Sequence, residues 1–484
     1  MKLRDAIWAL AIALALCATG VGAQNQKLNS PSASPLPPMD SGAGSGSGAA
    51  PVGAARGVTP ANDSQPIGHA QLLPDNNTLS GAQQFGLGSL EHAHNIFDPS
   101  ISFSEVGQTE PATAGQSSLS STTLFSGMMS FDRNWSKYHL SAVANGGETF
   151  SRGSVSSQDY FDRFSVMQEI DWERWHVLLR DDFAASPGAA FTGSGMGGPG
   201  LIAQFSSMLG SSLSSVGQAF IPGQTIETGN VTRYMNSALG QVEYSFSRRS
   251  AVTFSGSYGL LDFPSAGYVS SHTFNAQAGY DYLLDPMDSI AVLGSYGRID
   301  YMGTNVSTTD YTAALAFGRK ITGRLAFQIG AGPQQIRVAS PVGNFNNLFF
   351  SVNSALTYDR RRSGVSLNYV RGLTAGSGVF VGSTANTFSG GWHYQVTRFL
   401  TASLTGGYAL NNSLAPAGVA TTSFSNAFFG ANLGRRVGRH AQINFNYGLQ
   451  RQGTPASCPV ASCGGTGFLH SFGMTVNWHL RSAG

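Results

Sequence analysis

The stretch AQINFNYGLQ at residues 441–450 alternates apolar and polar side chains without interruption. Its odd positions, from Ala441 to Leu449, are apolar, and its even positions, from Gln442 to Gln450, are Gln, Asn or Gly. Successive side chains of a β-strand point to opposite faces of the sheet. Strict alternation over about ten residues therefore predicts a strand with one apolar and one polar face.

The same alternation recurs in FLTASLTGGYAL (399–410) and in the related stretches SGSYGLLDF (255–263) and LGSYGRIDY (293–301). A soluble β-sandwich is the alternative, but its strands average about five or six residues. The polar faces here consist of Ser, Thr, Asn, Gln and Gly, with few Lys or Glu. Tilted segments of about ten alternating residues match the height of a membrane's hydrocarbon layer, so the pattern favours a membrane β-barrel.

Composition narrows the class further. Charged residues make up 11% of the chain, against about 25% in an average soluble domain. Beyond residue 24 the sequence contains no run of about 18 apolar residues, which excludes a helical membrane protein. The net charge of +2 gives no indication of a nucleic-acid partner.

The N-terminal part differs from the rest of the chain. A basic start, an apolar run and the small residues before Gln24 predict a secretory signal peptide over residues 1–23. Cys17 would instead mark a lipoprotein, but Leu16 stands where a small residue is needed. Residues 24–98 are rich in Pro, Ser, Gly and Ala and predict a disordered periplasmic leader, which leaves 99–484 for the barrel.

Turns and loops predict the topology of this barrel. Eight short polar turns, most with Arg, Lys or Asp, alternate with longer Gly-, Ser- and Asn-rich connections. Short periplasmic turns and long extracellular loops are the outer-membrane arrangement. With ISFSEVG (101–107) as the first strand and 467–480 as the last, the prediction is an all-β, antiparallel, up-and-down transmembrane barrel of 18 strands, with 16 as the alternative.

The carboxyl end carries the resemblance to a known class. SFGMTVNW (471–478) resembles the assembly signal of bacterial outer-membrane β-barrels, with Ser471, Gly473, Val476 and Trp478 at the matching positions. The tail HLRSAG departs from the pattern, in which the aromatic residue is often the last. The resemblance implies a porin-like protein in the lipid of a Gram-negative outer membrane, inserted by the barrel-assembly machinery.

Candidate channel residues lie in QDYFDRFSVMQEIDW and WHVLLRDDF. When the apolar residues of these stretches face outward, a set of charged residues faces the lumen: Arg163, Glu169, Asp171, His176, Arg180 and Asp182. Two interpretations remain open. The set is either a salt-bridged structural wall or the source of a transverse field that orients passing polar solutes.

Two further features lie in predicted extracellular loops. Cys458 and Cys463, in the last long loop of an exported chain, predict a disulfide. Residues 184–230 form the longest connection and place apolar residues at helical spacing. This loop is expected either to fold into the lumen and narrow it or to rest on the outer rim.

The sequence predicts no catalytic, metal or cofactor site. It contains no GxSxG motif and no convincing Ser, His and Asp set, so we expect no enzyme. The favoured function is a porin-like channel for small hydrophilic solutes. An exopolysaccharide secretion conduit and a structural or adhesive surface barrel are the alternatives, and the oligomeric state is left open.

Overall fold

The chain forms one closed antiparallel sheet of eighteen strands. The structure is a computed structural model that describes residues 96–110, 118–135, 137–152, 157–186, 232–247, 249–265, 268–285, 287–322, 324–341, 343–360, 362–374, 381–414, 422–453 and 468–480. The predicted signal peptide, the leader up to residue 95, most of the 184–230 loop and both loop cysteines lie outside these residues. Within them, no helix is both long and apolar enough to cross a membrane.

The strands, in chain order, are β1 (Ile96–Glu110), β2 (Ser118–Asn134), β3 (Tyr138–Arg152), β4 (Ser157–Asp171), β5 (Trp175–Ser186), β6 (Arg233–Ser247), β7 (Ser250–Asp262), β8 (Ser271–Leu283), β9 (Asp288–Tyr301), β10 (Val306–Thr322), β11 (Leu325–Ala339), β12 (Phe345–Arg360), β13 (Ser363–Thr374), β14 (Ser383–Gln395), β15 (Leu400–Ser413), β16 (Ser423–Val437), β17 (Ala441–Gly453) and β18 (Phe468–His479). Each strand pairs with its neighbours in the chain. The first strand begins at Ile96, ahead of the predicted barrel boundary at residue 99.

Pairing between β1 and β18 closes the barrel. Their register runs from Ser100 opposite His479 to Gln108 opposite Ser471. A closed sheet has no free edge, so the backbone hydrogen-bonding groups of every strand find partners on both sides. The predicted up-and-down barrel of 18 strands is confirmed, and the weakly patterned ISFSEVG lies within β1.

Alternation gives the barrel an apolar outer face. Residues directly opposite each other in the register share a face, and on β17 and β18 the outward pairs include Phe445 with Met474. Many outward side chains are extensively exposed, among them Leu315 at 68% and Phe472 at 61%. Large apolar side chains exposed in this way around a whole barrel form a surface for contact with lipid.

The two ends of the barrel differ. One end carries the eight tight turns, each of two to four residues, and is called the short-turn end. The other end carries the remaining connections, most of which are longer, and is called the long-loop end. Side chains close the tight turns: Asp285 accepts the backbone N–H groups of Met287 and Asp288, and Thr397 accepts that of Leu400. These bonds explain the Asp and Thr residues in the predicted turns.

Aromatic side chains mark both borders of the apolar face. Trp135, Trp172 and Trp175 are exposed at the short-turn end. Near the long-loop end, the tyrosines of the two repeated SYG stretches, Tyr258 and Tyr296, face outward. The separation of these two aromatic bands defines the height of the membrane-facing belt.

Candidate functional site

The inward face of the barrel is lined mainly by hydroxyl and amide side chains. On β15 the inward positions include Thr401, Ser403 and Thr405. Cross-strand hydrogen bonds link many of them: Ser104 Oγ and Thr475 Oγ1 lie 2.9 Å apart at the β1–β18 closure, and Asn432 donates to Asn446. Such a lining is wettable and offers neutral donors and acceptors to a passing solute.

The predicted charge set lies on one wall, formed by β4 and β5. Glu169 and Asp171 share the inward face of β4 with the buried Ser165 and Met167. The remaining members lie on the inward face of β5: His176, Arg180 and Asp182. Arg163 belongs to the same alternation in β4, and its side chain lies outside the described part of the structure.

Next to the short-turn end, these residues join others in a row that crosses five strands. We call it the carboxylate–histidine belt, and it consists of Asp132, His139, Glu169, Asp171, His176 and Glu243. His139 Nε2 lies 3.0 Å from Asp132 Oδ2, and its Nδ1 lies 3.4 Å from Glu169 Oε2. His176 Nδ1 lies 2.6 Å from Asp171 Oδ1, and Glu243 is the cross-strand neighbour of His176 on β6.

Higher on the same wall, Arg180 and Asp182 form an ion pair along β5. Arg180 Nε lies 2.6 Å from Asp182 Oδ2, and Ser165 donates a hydrogen bond of 2.6 Å to Asp182 Oδ1. Arg180 is buried, and its charge is paired with that of Asp182. This ion pair therefore presents little charge to the lumen. This part of the predicted set therefore fits the structural interpretation, whereas the belt below it has four carboxylates and two histidines.

Two inward-facing cationic side chains and two histidines lie on the opposite arc of the short-turn end. Lys320 on β10 and Arg436 on β16 face inward close to their turns. His393 on β14 and His479 on β18 face inward at the same end. In an 18-stranded ring, β4 and β5 lie across the lumen from β13 and β14. Among the described side chains, the mouth is thus acidic on one side and basic on the other.

Over the full height of the lumen, acidic groups outnumber basic ones. Among the described residues, eight inward-facing carboxylates occur: Asp132, Asp159, Glu169, Asp171, Asp182, Glu243, Asp281 and Asp310. Four inward-facing Arg or Lys residues accompany them: Arg180, Arg233, Lys320 and Arg436. Counted over Asp, Glu, Lys and Arg alone, this described lining has an excess of four negative charges, whereas the same count over the whole chain gives +2.

An apolar cluster occupies the inner wall at the long-loop end. Its buried members are Ile299, Tyr301, Ile336, Val338 and Leu373, and Val269, Val381 and Leu414 from three connections pack against it. A Cβ atom at Gly382, which precedes β14, would lie 3.2 Å from the Tyr301 hydroxyl oxygen on β9. Three connections of the long-loop end therefore pack against the inner wall and narrow this mouth.

Sequence reasoning missed two members of the belt. Asp132 lies in FDRNWSK (131–137), one of the short polar stretches that predict turns, and Glu243 is a single acid in an otherwise apolar and polar alternation. The structure places both beside residues that were predicted. The signal that could have found them is the strand register, which pairs His176 with Glu243, and alternation alone does not supply it.

Residues of the predicted assembly signal all lie in β18. Ser471 is buried and faces inward beside Gly473, whereas Val476 and Trp478 face outward. Phe472 and Met474 share this outward face and are exposed, and Leu480 directly after the strand is exposed as well. The strand therefore has the two faces that such a signal requires, and the assembly role itself stays a prediction.

No family model matches this sequence, and no curated protein matches it. Solved structures of similar fold include OccK2 (OpdF) of Pseudomonas aeruginosa, with 8% identity and a TM-score of 0.40 over 81% of this chain and 100% of that one. A BenF-like porin from Pseudomonas fluorescens Pf-5 has 8% identity and a TM-score of 0.39 over 80% and 98%. BauA, the ferric preacinetobactin receptor of Acinetobacter baumannii, has 11% identity and a TM-score of 0.40 over 80% of each chain.

Proposed function

We propose that this barrel lies in the outer membrane and admits small hydrophilic solutes by passive diffusion, without catalysing a reaction. The observation that carries the proposal is the contrast between an exposed apolar outside and an inside of hydroxyls, amides and charges. A barrel of this size encloses an aqueous lumen when its interior is polar. With the longer connections at the cell surface, the carboxylate–histidine belt faces the periplasm.

The charge distribution adds selectivity to the proposal. A net negative lining in a narrow, water-filled space concentrates cations and excludes anions. The separation of carboxylates on β2–β8 from Lys320 and Arg436 on the far arc creates a field across the periplasmic mouth. A solute with separated positive and negative groups would be oriented by this field as it passes.

Planar-bilayer recordings of the purified protein test both parts. Under a potassium chloride gradient, the reversal potential should show a preference for potassium over chloride. The double variant Asp171→Asn, Glu243→Gln should lose much of this preference. The matched control is Glu148→Gln, because Glu148 lies on the outward face of β3 and donates no charge to the lumen.

Outcomes of the recordings separate the candidate functions. Chloride preference, or a preference that the belt variant leaves unchanged, would contradict the selectivity proposal. A folded barrel with no conductance at all would contradict the channel itself, and the narrowed mouth around Tyr301 would then favour the structural or adhesive barrel. Migration that shifts on heating, measured for each variant, verifies that the barrel is folded.

A further inference from the structure

The outward face near the long-loop end bears a short row of cationic and hydroxyl side chains. Arg298 on β9 lies opposite Thr309 on β10, and Thr309 lies opposite Arg337 on β11. Strands are spaced by about 4.8 Å, so the two arginine backbones are about 10 Å apart with the threonine between them. Side chains directly opposite in a register share a face, so all three point away from the lumen.

This row lies immediately beyond the aromatic border of the apolar belt. The next row toward the membrane contains Tyr296 and Tyr311, whose ring centroids are 5.4 Å apart. The Arg337 guanidinium lies 5.4 Å from the centroid of the Tyr311 ring, which holds it at this border. Phosphate groups of membrane lipids lie at the same level, just outside the hydrocarbon layer.

The row has a surplus of positive charge. Arg298 donates hydrogen bonds to both carboxylate oxygens of Asp300: Nε donates to Oδ2 at 2.9 Å and to Oδ1 at 3.1 Å, and Nη2 donates to Oδ1 at 2.9 Å. One carboxylate thus accompanies two guanidinium groups. Arg298 remains 51% exposed, so donors of its planar group are accessible from the lipid side.

A contrasting sector shows that such a charge is not a general property of this border. On β1, β3 and β4 the outward face carries Glu105, Glu148 and Asp162 toward the long-loop end. Glu105 accepts a 2.6 Å hydrogen bond from Thr123, and Glu148 accepts one from Gln158. An anionic lipid headgroup is repelled by this sector and attracted to β9–β11.

We propose that Arg298, Thr309 and Arg337 bind a phosphate group of a phosphorylated outer-leaflet glycolipid. Guanidinium groups donate pairs of parallel hydrogen bonds to phosphate oxygens, and the threonine hydroxyl adds a donor between them. The outward-facing rings of Tyr296 and Tyr311 lie where the lipid's first methylene groups would pack. This inference rests on the proposed outer-membrane location and orientation, but it does not depend on conductance, because the row faces away from the lumen.

Native mass spectrometry of the intact barrel tests the proposal. The protein in detergent micelles is mixed with one of two lipids. The first is lipid A with both glucosamine phosphates, and the second is the same lipid with its phosphates removed. The wild type should retain the phosphorylated lipid selectively. The double variant Arg298→Gln, Arg337→Gln should bind it at least about tenfold more weakly, since a hydrogen bond to a charged group contributes about one order of magnitude in affinity.

The control variant is Arg319→Gln. Arg319 also faces outward on β10, but it lies at the short-turn end and is 3.6 Å from Asp288. The Arg319→Gln variant should retain the phosphorylated lipid as well as the wild type does. Equal retention by the double variant, equal binding of the dephosphorylated lipid, or displacement by inorganic phosphate at equal concentration would each overturn the assignment. The last result would identify a soluble anion as the ligand instead.

Discussion

A charged residue introduced at Val292 should destabilise the barrel strongly, and by a predictable amount. Val292 faces outward on β9 and is 58% exposed, so an arginine there would have no protein surface to cover its charge. It is the fourth residue beyond Asp288, where β9 begins at the short-turn end. With a rise of about 3.3 Å per residue and a tilt of about 40°, it lies about 10 Å above that end.

The hydrophobic band of such a barrel is about 25 Å tall, so this position is close to the bilayer midplane. Arginine on the lipid face costs about 2–4 kcal/mol at the midplane and about 0–1 kcal/mol near the interfaces. We therefore expect Val292→Arg to lower the free energy of unfolding by about 2–4 kcal/mol. Denaturant titration of folding in phospholipid vesicles measures this free energy.

Thr405→Arg is the control, because Thr405 is exposed on the inward face of β15. An arginine there reaches the wet lumen, and its effect should stay within about 0.5 kcal/mol, as for ordinary surface substitutions. Equal losses at the two positions would refute the assignment of the two faces. A negligible loss at Val292 would show that this side of β9 does not contact lipid.

Three further predictions concern assembly, the last loop and the longest connection. Changing Gly473 or Trp478 to Asp places a charge in the final strand, and each variant should accumulate unfolded in the periplasm, as judged by the loss of heat-modifiable migration. Cys458 and Cys463 should resist thiol labelling until a reductant is added, and free labelling of the native protein would rule out the disulfide. Deleting 195–222 should raise single-channel conductance without preventing insertion, whereas unchanged conductance would place that loop on the surface.

Alternation was sufficient to predict the faces of the strands, because the period of a strand is two and one buried or lipid-exposed residue fixes all the others. The inward assignment of Glu169, His176 and Asp182 followed from apolar neighbours alone, and the structure places all three there. The number of strands followed in the same way from turn chemistry. Neither prediction required the register, that is, which residue of one strand lies opposite which residue of the next.

Alternation within a strand does not predict which side chains contact each other across neighbouring strands. The belt depends on His139 lying between Asp132 and Glu169, which are 7 and 30 residues away in the chain. The row of Arg298, Thr309 and Arg337 likewise exists only in the register of β9, β10 and β11. Register depends on turn length and on the stagger between strands, and the sequence pattern leaves both open by one or two residues.

The apolar cluster at the long-loop end corresponds to a pattern in the sequences of β9 and β11. Near the short-turn end of β9, Ile290 and Val292 face outward while Leu293 faces inward, whereas near the long-loop end the apolar residues Ile299 and Tyr301 both face inward. The β9–β10 register continues without a shift from Asp288 to Tyr301, so no bulge causes this change of phase.

The same change occurs on β11, where Phe327 and Ile329 face outward and Ile336 and Val338 face inward. A strand in lipid must place its apolar residues outside, whereas a strand beyond the membrane can place them wherever protein covers them. A change of apolar phase within one uninterrupted strand therefore marks the height at which the strand leaves the bilayer. On β9 and β11 this height is the level of Tyr296 and Tyr311, where the arginine row begins and where the connections converge on Tyr301.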